Sequence, residues 1–231
     1  MSESDLGTGT HAVEHEQLQE AAHSPEGQGP IEVLFGAGGD PLVFGLPVFV
    51  SGSLVLGFTL IGFVSSSTNL GTYLPETTFA AGFGEFVTAL WAIGLGQTII
   101  AAIFGLFAMF WFSLFALIMG IFHHWWLTPT GSVTGAEQMF FLAWLIIFFF
   151  LIIGMFRLPL AYIGIVVFVD IAVLCVLLSL YVPSDATDLL MAAGAAVFAF
   201  CALGLYAFLE VAWTATGKNK PLIPLGPPIW K

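Results

Sequence analysis

Three carboxyl groups lie inside otherwise apolar stretches of this 231-residue sequence, and their positions raise the question of chemistry first. Glu85, Asp170 and Glu210 each belong to a segment apolar enough to be a membrane helix. An ionisable side chain at membrane depth is costly, so each is a functional candidate by default. Each can relay a proton, or it can form a hydrogen bond between helices. Both interpretations stay open for Asp170, whereas Glu210, near a helix end, favours a structural role.

A second candidate is the motif His123-His124-Trp125-Trp126, which resembles a metal or haem site at first sight. Adjacent residues of a helix point about 100° apart, so one metal ion would not readily bind both imidazoles. Tryptophan is enriched where helices meet the membrane–water interface. The motif therefore predicts an interfacial anchor at the end of a helix.

Catalytic and metal-binding motifs are missing from the rest of the sequence. Cys175 and Cys201 lie in separate apolar segments, which predicts two small buried side chains rather than a disulfide. The sequence contains no CxxC, HExxH, P-loop or dinucleotide-binding pattern. We therefore expect no enzyme, no cofactor and no metal site.

The composition indicates that the solvent of these segments is a lipid bilayer. Only 8% of residues are charged and 58% are hydrophobic, whereas a soluble domain carries about 25% charged residues. A membrane-spanning helix needs about 20 mostly apolar residues, and no segment alternates like a barrel strand. The sequence predicts an all-α integral membrane protein with six transmembrane helices in one bundle. The six predicted spans are 42–64, 78–95, 98–122, 138–156, 159–181 and 188–212.

Residues 1–38 differ from the rest in composition. This segment holds seven of the fifteen acidic residues and no Lys or Arg. We expect a disordered, acidic, cytoplasmic tail, with partner binding as the alternative. Its charge argues against nucleic acid as a partner. Residues 39–226 then form the membrane domain, and 227–231 a C-terminal tail.

The few basic residues predict the orientation in the cell membrane. The predicted loops 65–77, 123–137 and 182–187 contain no Lys or Arg. Basic residues mark the cytoplasmic side of short loops, and an even number of spans separates the basic positions. Both termini should therefore be cytoplasmic. The basic residues are Arg157, Lys218, Lys220 and Lys231.

The start of the first span combines favourable and unfavourable helix residues. Asp40 suits the N-cap and Pro41 the first helical position. Pro47, in contrast, leaves the carbonyl of Val43 without its helical donor. A free carbonyl at membrane depth is tolerated only beside protein or a water-filled cavity. This turn is therefore predicted to lie at the mouth of a path.

The same stretch carries the first of four segments that match one protein family. It reads DPLVFGL where the family has N-P-x-P-L-G-L, with Asp40 for Asn and Val43 for the second Pro. The third span resembles the family run G-N-T-F-G-x-x-A-F-x-x-Y-G-x-F-W-L. Gly96 and Thr98 are retained there, and Gln97 replaces Asn.

The remaining two segments lie in the second half of the chain. The fourth and fifth predicted spans follow the family pattern, including a Leu-Asp-Leu-like centre at Asp170. The ending YAFLEVAWTATGKNKPLIPLG resembles a Y-x-x-x-G-E…G…L-P-x-G finish. Together the four segments cover roughly 39–226 in the family's order, and the chain resembles the acetate uptake transporter family.

The resemblance implies a six-helix protomer in a homohexamer, with a solute path through each protomer. Acetate is the implied solute, with succinate as a further one, moving with protons or through a channel. The implied constriction consists of Phe49, Phe107 and Ile171, with Phe107 in place of a tyrosine. The implied substrate-binding residues are Asp40, Pro41, Gly45, Leu46, Gln97 and Thr98.

Physical chemistry is compatible with this implied path. An aromatic constriction excludes hydrated inorganic ions more strongly than a small solute with a methyl group. Gln97 and Thr98 open a helix, where free N–H groups favour a carboxylate. Asp40, Val43 and Phe107 differ from the residues that the family has at these positions. These differences leave an alternative, in which the protein is a non-transporting accessory or scaffold subunit of a membrane complex.

Overall fold

A computed structural model of the chain describes residues 38–64, 70–126, 129–217 and 221–230. Within these ranges the regular structure is helical, and the β-type pairing consists of an isolated bridge between Pro159 and Pro228. The prediction of an all-helical protein is confirmed. The predicted acidic tail lies outside the described residues, apart from Gly38.

In the described part of the chain, seven α-helices and one π-helical segment form the bundle. The π-helical segment, Glu76–Phe83, joins α2 to α3 without a break. The helices are α1 (Leu42–Leu60), α2 (Leu70–Pro75), α3 (Gly84–Gly94), α4 (Thr98–Phe122), α5 (Val133–Gly154), α6 (Leu160–Tyr181) and α7 (Ala186–Ala215).

Among the described residues, five helices are long and apolar enough to cross a membrane. They are α1, α4, α5, α6 and the helical stretch Pro183–Ala215 that contains α7. These five correspond to five of the six predicted spans, which makes the chain a multi-pass membrane protein. The sixth, predicted at 78–95, corresponds to the composite helix of α2, the π-helical segment and α3. The number of spans therefore stays a prediction.

Part of the loop predicted at 65–77 is helical instead. The α2 helix begins at Leu70 and the chain continues through Pro75 into the π-helical segment. The prediction relied on Pro75 as a loop signal. Because Pro lacks an N–H, it disrupts the α-helical bonding pattern, and here the chain changes to π-helical bonding instead of ending the helix.

The turn after α4 is also shorter than predicted, because α5 begins at Val133 rather than 138. The chain reverses at His124, whose φ of 51° lies in the left-handed region. The Trp126 indole N–H donates to the carbonyl of Ala116 at 3.3 Å, and both tryptophans of the motif are exposed. Among the described residues, no group of three His, Cys, Asp or Glu side chains could hold a metal ion.

Close packing at Gly45 brings α1 against α3 and α4. A Cβ atom at this position would lie 2.6 Å from the Phe104 ring and 2.6 Å from Thr88 Cγ2. Neither neighbour is the end of a flexible chain, so even a methyl group overpacks the contact. The backbone of α1 can approach this closely only with glycine at the contact.

We expect Gly45→Ala to lower the free energy of unfolding by about 1–3 kcal/mol. Gly135→Ala in α5 is the matched control, since no atom lies within 4 Å of its added Cβ. Thermal unfolding of the two purified variants measures the difference. Equal stability of the two would contradict the packing described at Gly45.

Candidate functional site

The start of α1 is fixed by a side-chain cap. Asp40 Oδ1 accepts a hydrogen bond from the backbone N–H of Leu42 at 2.9 Å, as an N-terminal capping residue does. Pro41 is fully buried beside it. Pro47 lies one turn into the helix and leaves the Val43 carbonyl without a helical donor.

An aromatic layer crosses the middle of the bundle one turn further along. The Phe49 ring on α1 contacts the Phe107 ring on α4, with centroids 5.3 Å apart and planes tilted by 59°. Phe200 on α7 stacks on Phe49 at 5.3 Å, and Phe148 on α5 stacks on Phe107 at 4.8 Å. All four side chains are buried. Four helices therefore supply one continuous group of rings.

Two cavities lie on opposite sides of this layer. The large cavity, of about 330 Å³, lies between the end of α1 at Leu60 and the start of α5 at Phe141. The small cavity, of about 40 Å³, lies between the start of α1 at Leu42 and the start of α6 at Tyr162. The two cavities therefore face opposite ends of the bundle.

Phe49 and Phe107 line both cavities and separate one from the other. Their centroid distance of 5.3 Å is that of rings in contact. The route from one cavity to the other is therefore closed by these two side chains. The residues that the family resemblance implied for α1 and α4 meet at this point.

Ile171, the third residue implied for the constriction, lies elsewhere. Its side chain is 40% exposed and lines neither cavity. Val169, Ala172 and Val173 on the same helix line the large cavity, and Val166 lines the small one. Successive helical residues point about 100° apart, so a small alignment offset is enough to exchange a cavity-lining residue for an outward-facing one.

The other implied binding residues divide between the cavities and the bundle ends. Leu46 lines the small cavity, and Gly45 lies buried in the adjacent helix contact. Gln97 is half-buried at the start of α4, where its carbonyl accepts the Ala101 N–H at 2.9 Å. Thr98 is exposed. Neither Gln97 nor Thr98 lines a cavity described here.

Two of the three carboxyl groups in the predicted spans make no well-formed hydrogen bond. Glu85 on α3 is fully buried, and neither of its oxygens accepts a hydrogen bond of good geometry. The Trp111 indole lies close enough to interact with it, although its N–H also lacks a well-formed bond. Asp170 is half-buried, and its Oδ1 has no partner. Neither carboxyl group lines a cavity, but Trp111 lines the large one.

Glu210, in contrast, is hydrogen-bonded to the chain that follows α7. Its Oε2 accepts hydrogen bonds from the backbone N–H groups of Leu222 and Ile223, each at 2.8 Å. Thr214 Oγ1 donates to Oε1 at 3.4 Å. Glu210 thereby holds residues 221–230, the C-terminal strap, against the end of α7.

The strap continues across the junction between α5 and α6. Ala161 N–H donates to Leu225 O at 3.0 Å, and Trp230 N–H donates to Phe156 O at 2.9 Å. The Trp230 and Phe156 rings also meet edge to face at 5.4 Å. This junction supplies Leu158 to the wall of the small cavity, so the strap lies next to that end of the path.

Three aromatic residues with a polar group and one acid near the cavities were not predicted. Tyr73, Trp111 and Glu137 line the large cavity, and Tyr162 lines the small one. Each lies at or near the start of an apolar segment or inside an aromatic run, where tyrosine and tryptophan are common. Of these residues, the sequence could have indicated Glu137 as a site candidate, because it is an acid just before a long apolar run. Within the described ranges, no Lys, Arg or His side chain lines either cavity.

Comparison with known proteins identifies a family and a similar fold. The model of the GPR1/FUN34/yaaH family matches residues 32–225. The fold is similar to that in the structure of the bacterial acetate channel SatP, with a TM-score of 0.71 and 15% sequence identity. The match covers 81% of this chain and 99% of that chain. No curated protein sequence matches the chain.

Proposed function

Because the chain belongs to the GPR1/FUN34/yaaH family, we propose that it is a membrane transporter or channel for acetate and related small carboxylates. Succinate is a further solute of the proposal, and transport is coupled to protons. The acetate channel SatP has a similar fold, which supports this choice of solute.

The observation that carries the proposal is the pair of cavities that share Phe49 and Phe107. One cavity faces each end of the bundle, and two contacting rings close the route between them. A solute path through a helical bundle has this form: two vestibules and a narrow point. A scaffold subunit would not need either cavity.

The lining chemistry favours the undissociated acid at the narrow point. An anion passing between two phenyl rings would lose its hydration without gaining a polar partner. Within the described ranges, neither cavity offers a cationic side chain to replace that hydration. A neutral acid with a small apolar group meets a much lower barrier, and it carries its own proton.

Glu85 is one candidate for a proton-binding site within the protein. The elements packed against α3 are α1, α4 and the π-helical segment. Neither α1 nor α4 contains a Lys, Arg or His residue. The π-helical segment contributes Glu76, which accepts a hydrogen bond from Ser51 Oγ at 2.5 Å. A buried carboxyl group without a neighbouring cation can take up a proton, and Asp170 is the second candidate.

We place the protein in the cell membrane with both termini in the cytoplasm, as the distribution of basic residues indicates. Six spans and a homohexamer complete the proposal, as the family resemblance implies. Of the four basic residues, Arg157 lies within the described ranges. It is exposed at the junction of α5 and α6.

We expect purified protein in proteoliposomes to take up labelled acetate faster than protein-free vesicles. The flux is measured at several values of pH and membrane potential. If the undissociated acid is the transported form, the flux is proportional to the concentration of that form and does not depend on the potential. Flux of the anion follows the potential instead. Proton-coupled uptake concentrates acetate in the vesicles when the outside is acidic.

Acetate flux no faster than in protein-free vesicles would overturn the proposal. If the protein then copurifies with one partner at constant stoichiometry, the accessory-subunit alternative gains the support that transport loses. A homo-oligomer with measurable flux excludes that alternative.

A further inference from the structure

We propose that the large cavity binds undissociated monocarboxylic acids of about six carbons in all, with an apolar tail longer than that of acetate. The inference rests on the proposed function only in taking carboxylic acids as the solute class. The tail lies against the aromatic layer, and the carboxyl group lies at the opposite end of the cavity, beside Glu137 and Tyr73.

The volume of the cavity exceeds what acetate requires. An apolar cavity of about 150 Å³ is enough to bind benzene, and the large cavity has about 330 Å³. Small-molecule sites begin at about 300 Å³. Acetate, with a single methyl group, would leave most of this space without contacts, whereas a six-carbon chain makes contacts along its length.

The walls match an apolar tail and disfavour a second charge, so that succinate would bind more weakly here than a monocarboxylic acid with an apolar tail. Most of the cavity is lined by aliphatic and aromatic side chains, among them Phe110, Leu114, Val173 and Val197. A dicarboxylate would place one carboxyl group against these walls without a hydrogen-bond partner, which is unfavourable. The proposed class is therefore monocarboxylic.

The polar residues are gathered at one end. Glu137 and Tyr73 both line the cavity, and the Glu137 carboxyl group interacts electrostatically with the Tyr73 hydroxyl. The Gln138 side chain donates to Leu180 O at 3.1 Å and ties the start of α5 to the end of α6. Ser179, one residue earlier, lines the same end.

This end favours an acid that carries its proton. A carboxylate anion would face Glu137 without a cation between them, whereas an undissociated acid can donate its O–H to Glu137 and accept from Tyr73. The titratable side chains at the nearby ends of α4 and α6 are His123, His124 and Tyr181, all exposed. Further along α6 lie Cys175, Asp170 and Tyr162, half-buried and distant from this end.

The test measures how well unlabelled acids compete with labelled acetate for uptake by the full-length protein, at one acidic pH. Each buried methylene favours binding by about fourfold. We expect hexanoate to inhibit at a concentration at least about tenfold below that for unlabelled acetate, with butyrate between them. Equal inhibition by all three acids would overturn the inference.

A cavity-filling variant shows where the longer acid binds. Ala172 lines the large cavity, so Ala172→Leu should abolish most of the preference for hexanoate. Ala195→Leu, at an exposed position of α7, is the matched control and should keep it. If Ala172→Leu does not fold, Ala172→Val serves with a smaller expected effect. An unchanged preference in a folded cavity variant would show that the acid binds elsewhere.

A binding readout separates this inference from the proposed function. Hexanoate should raise the thermal unfolding temperature of the detergent-purified protein more than acetate does, and Glu137→Lys should extend that effect to higher pH by supplying a cation for the anion. Stabilisation without acetate flux would refute transport and keep the site. Acetate flux without stabilisation by hexanoate would keep transport and refute the site.

Discussion

Replacing Phe49 by alanine is expected to raise acetate flux about tenfold and to weaken discrimination against inorganic anions. The Phe49 ring contacts both Phe107 and Phe200, with centroids 5.3 Å away in each case. Each aromatic pair contributes about 0.5–1.5 kcal/mol, and opening the route between the cavities must break such contacts. A barrier lowered by about 1.4 kcal/mol corresponds to a tenfold faster passage.

The measurement needs a folded variant, because truncation of a buried phenylalanine costs about 3–5 kcal/mol of stability. Phe49→Leu keeps most of the packing and should give a smaller increase in flux. Phe150→Ala, on α5 at a position 65% exposed, removes a ring outside the layer and should leave flux unchanged. If folded Phe49→Ala has the flux and selectivity of the wild-type protein, the two rings do not form the barrier.

Replacing Glu210 by alanine is expected to lower the free energy of unfolding by about 2–4 kcal/mol and to release the strap. The Glu210 carboxyl group accepts two backbone hydrogen bonds at 2.8 Å and is 92% removed from solvent, since its exposed fraction is 8%. Hydrogen bonds of neutral groups contribute about 0.5–1.5 kcal/mol, and those of charged groups about 1.5–3 kcal/mol. At about 1–2 kcal/mol each, a value between these two classes, two lost bonds give the expected range.

Hydrogen exchange at the Leu222 and Ile223 amides reports on the strap directly. We expect exchange at these amides to be at least about tenfold faster in Glu210→Ala, because their protection depends on local opening. Glu210→Gln keeps an acceptor oxygen, so its exchange rates at these amides should lie between those of the wild-type protein and those of Glu210→Ala. Asp188→Ala, at an exposed acid of the first turn of α7, is the control. Unchanged protection in Glu210→Ala would mean that the strap is held by its other contacts.

The family and the helical class were predicted correctly because both depend on features spread along the chain. Long apolar runs identify membrane helices by composition alone, and four short segments in the right order identify the family. Phe49 was assigned by its distance from Asp40 within one helix, where the spacing of residues fixes their relative positions, and its role in a solute path stays a prediction.

Residues that depend on how helices rotate against each other were harder to predict. Ile171 lies on the predicted helix but on its exposed side, because a match of short sequence motifs does not determine how that helix is rotated against its neighbours. Glu137 and Tyr73 come together from α5 and α2 through tertiary packing. The spacing of residues along the sequence carries no information about such a contact.

The π-helical segment has a consequence for how this sequence tolerates length changes. Its backbone hydrogen bonds join residues five apart rather than four. An extra residue in Glu76–Phe83 is therefore accommodated within the segment. In a regular α-helix the same extra residue would rotate the helix that follows. Deleting one residue there would allow the stretch to become α-helical without turning α3, whereas the same deletion inside a regular α-helix would turn the residues beyond it by about 100°. Glu85 would therefore keep its buried position although the chain is one residue shorter. Sequences that differ by one residue in this segment need a gap at this point before the faces of α3 are compared.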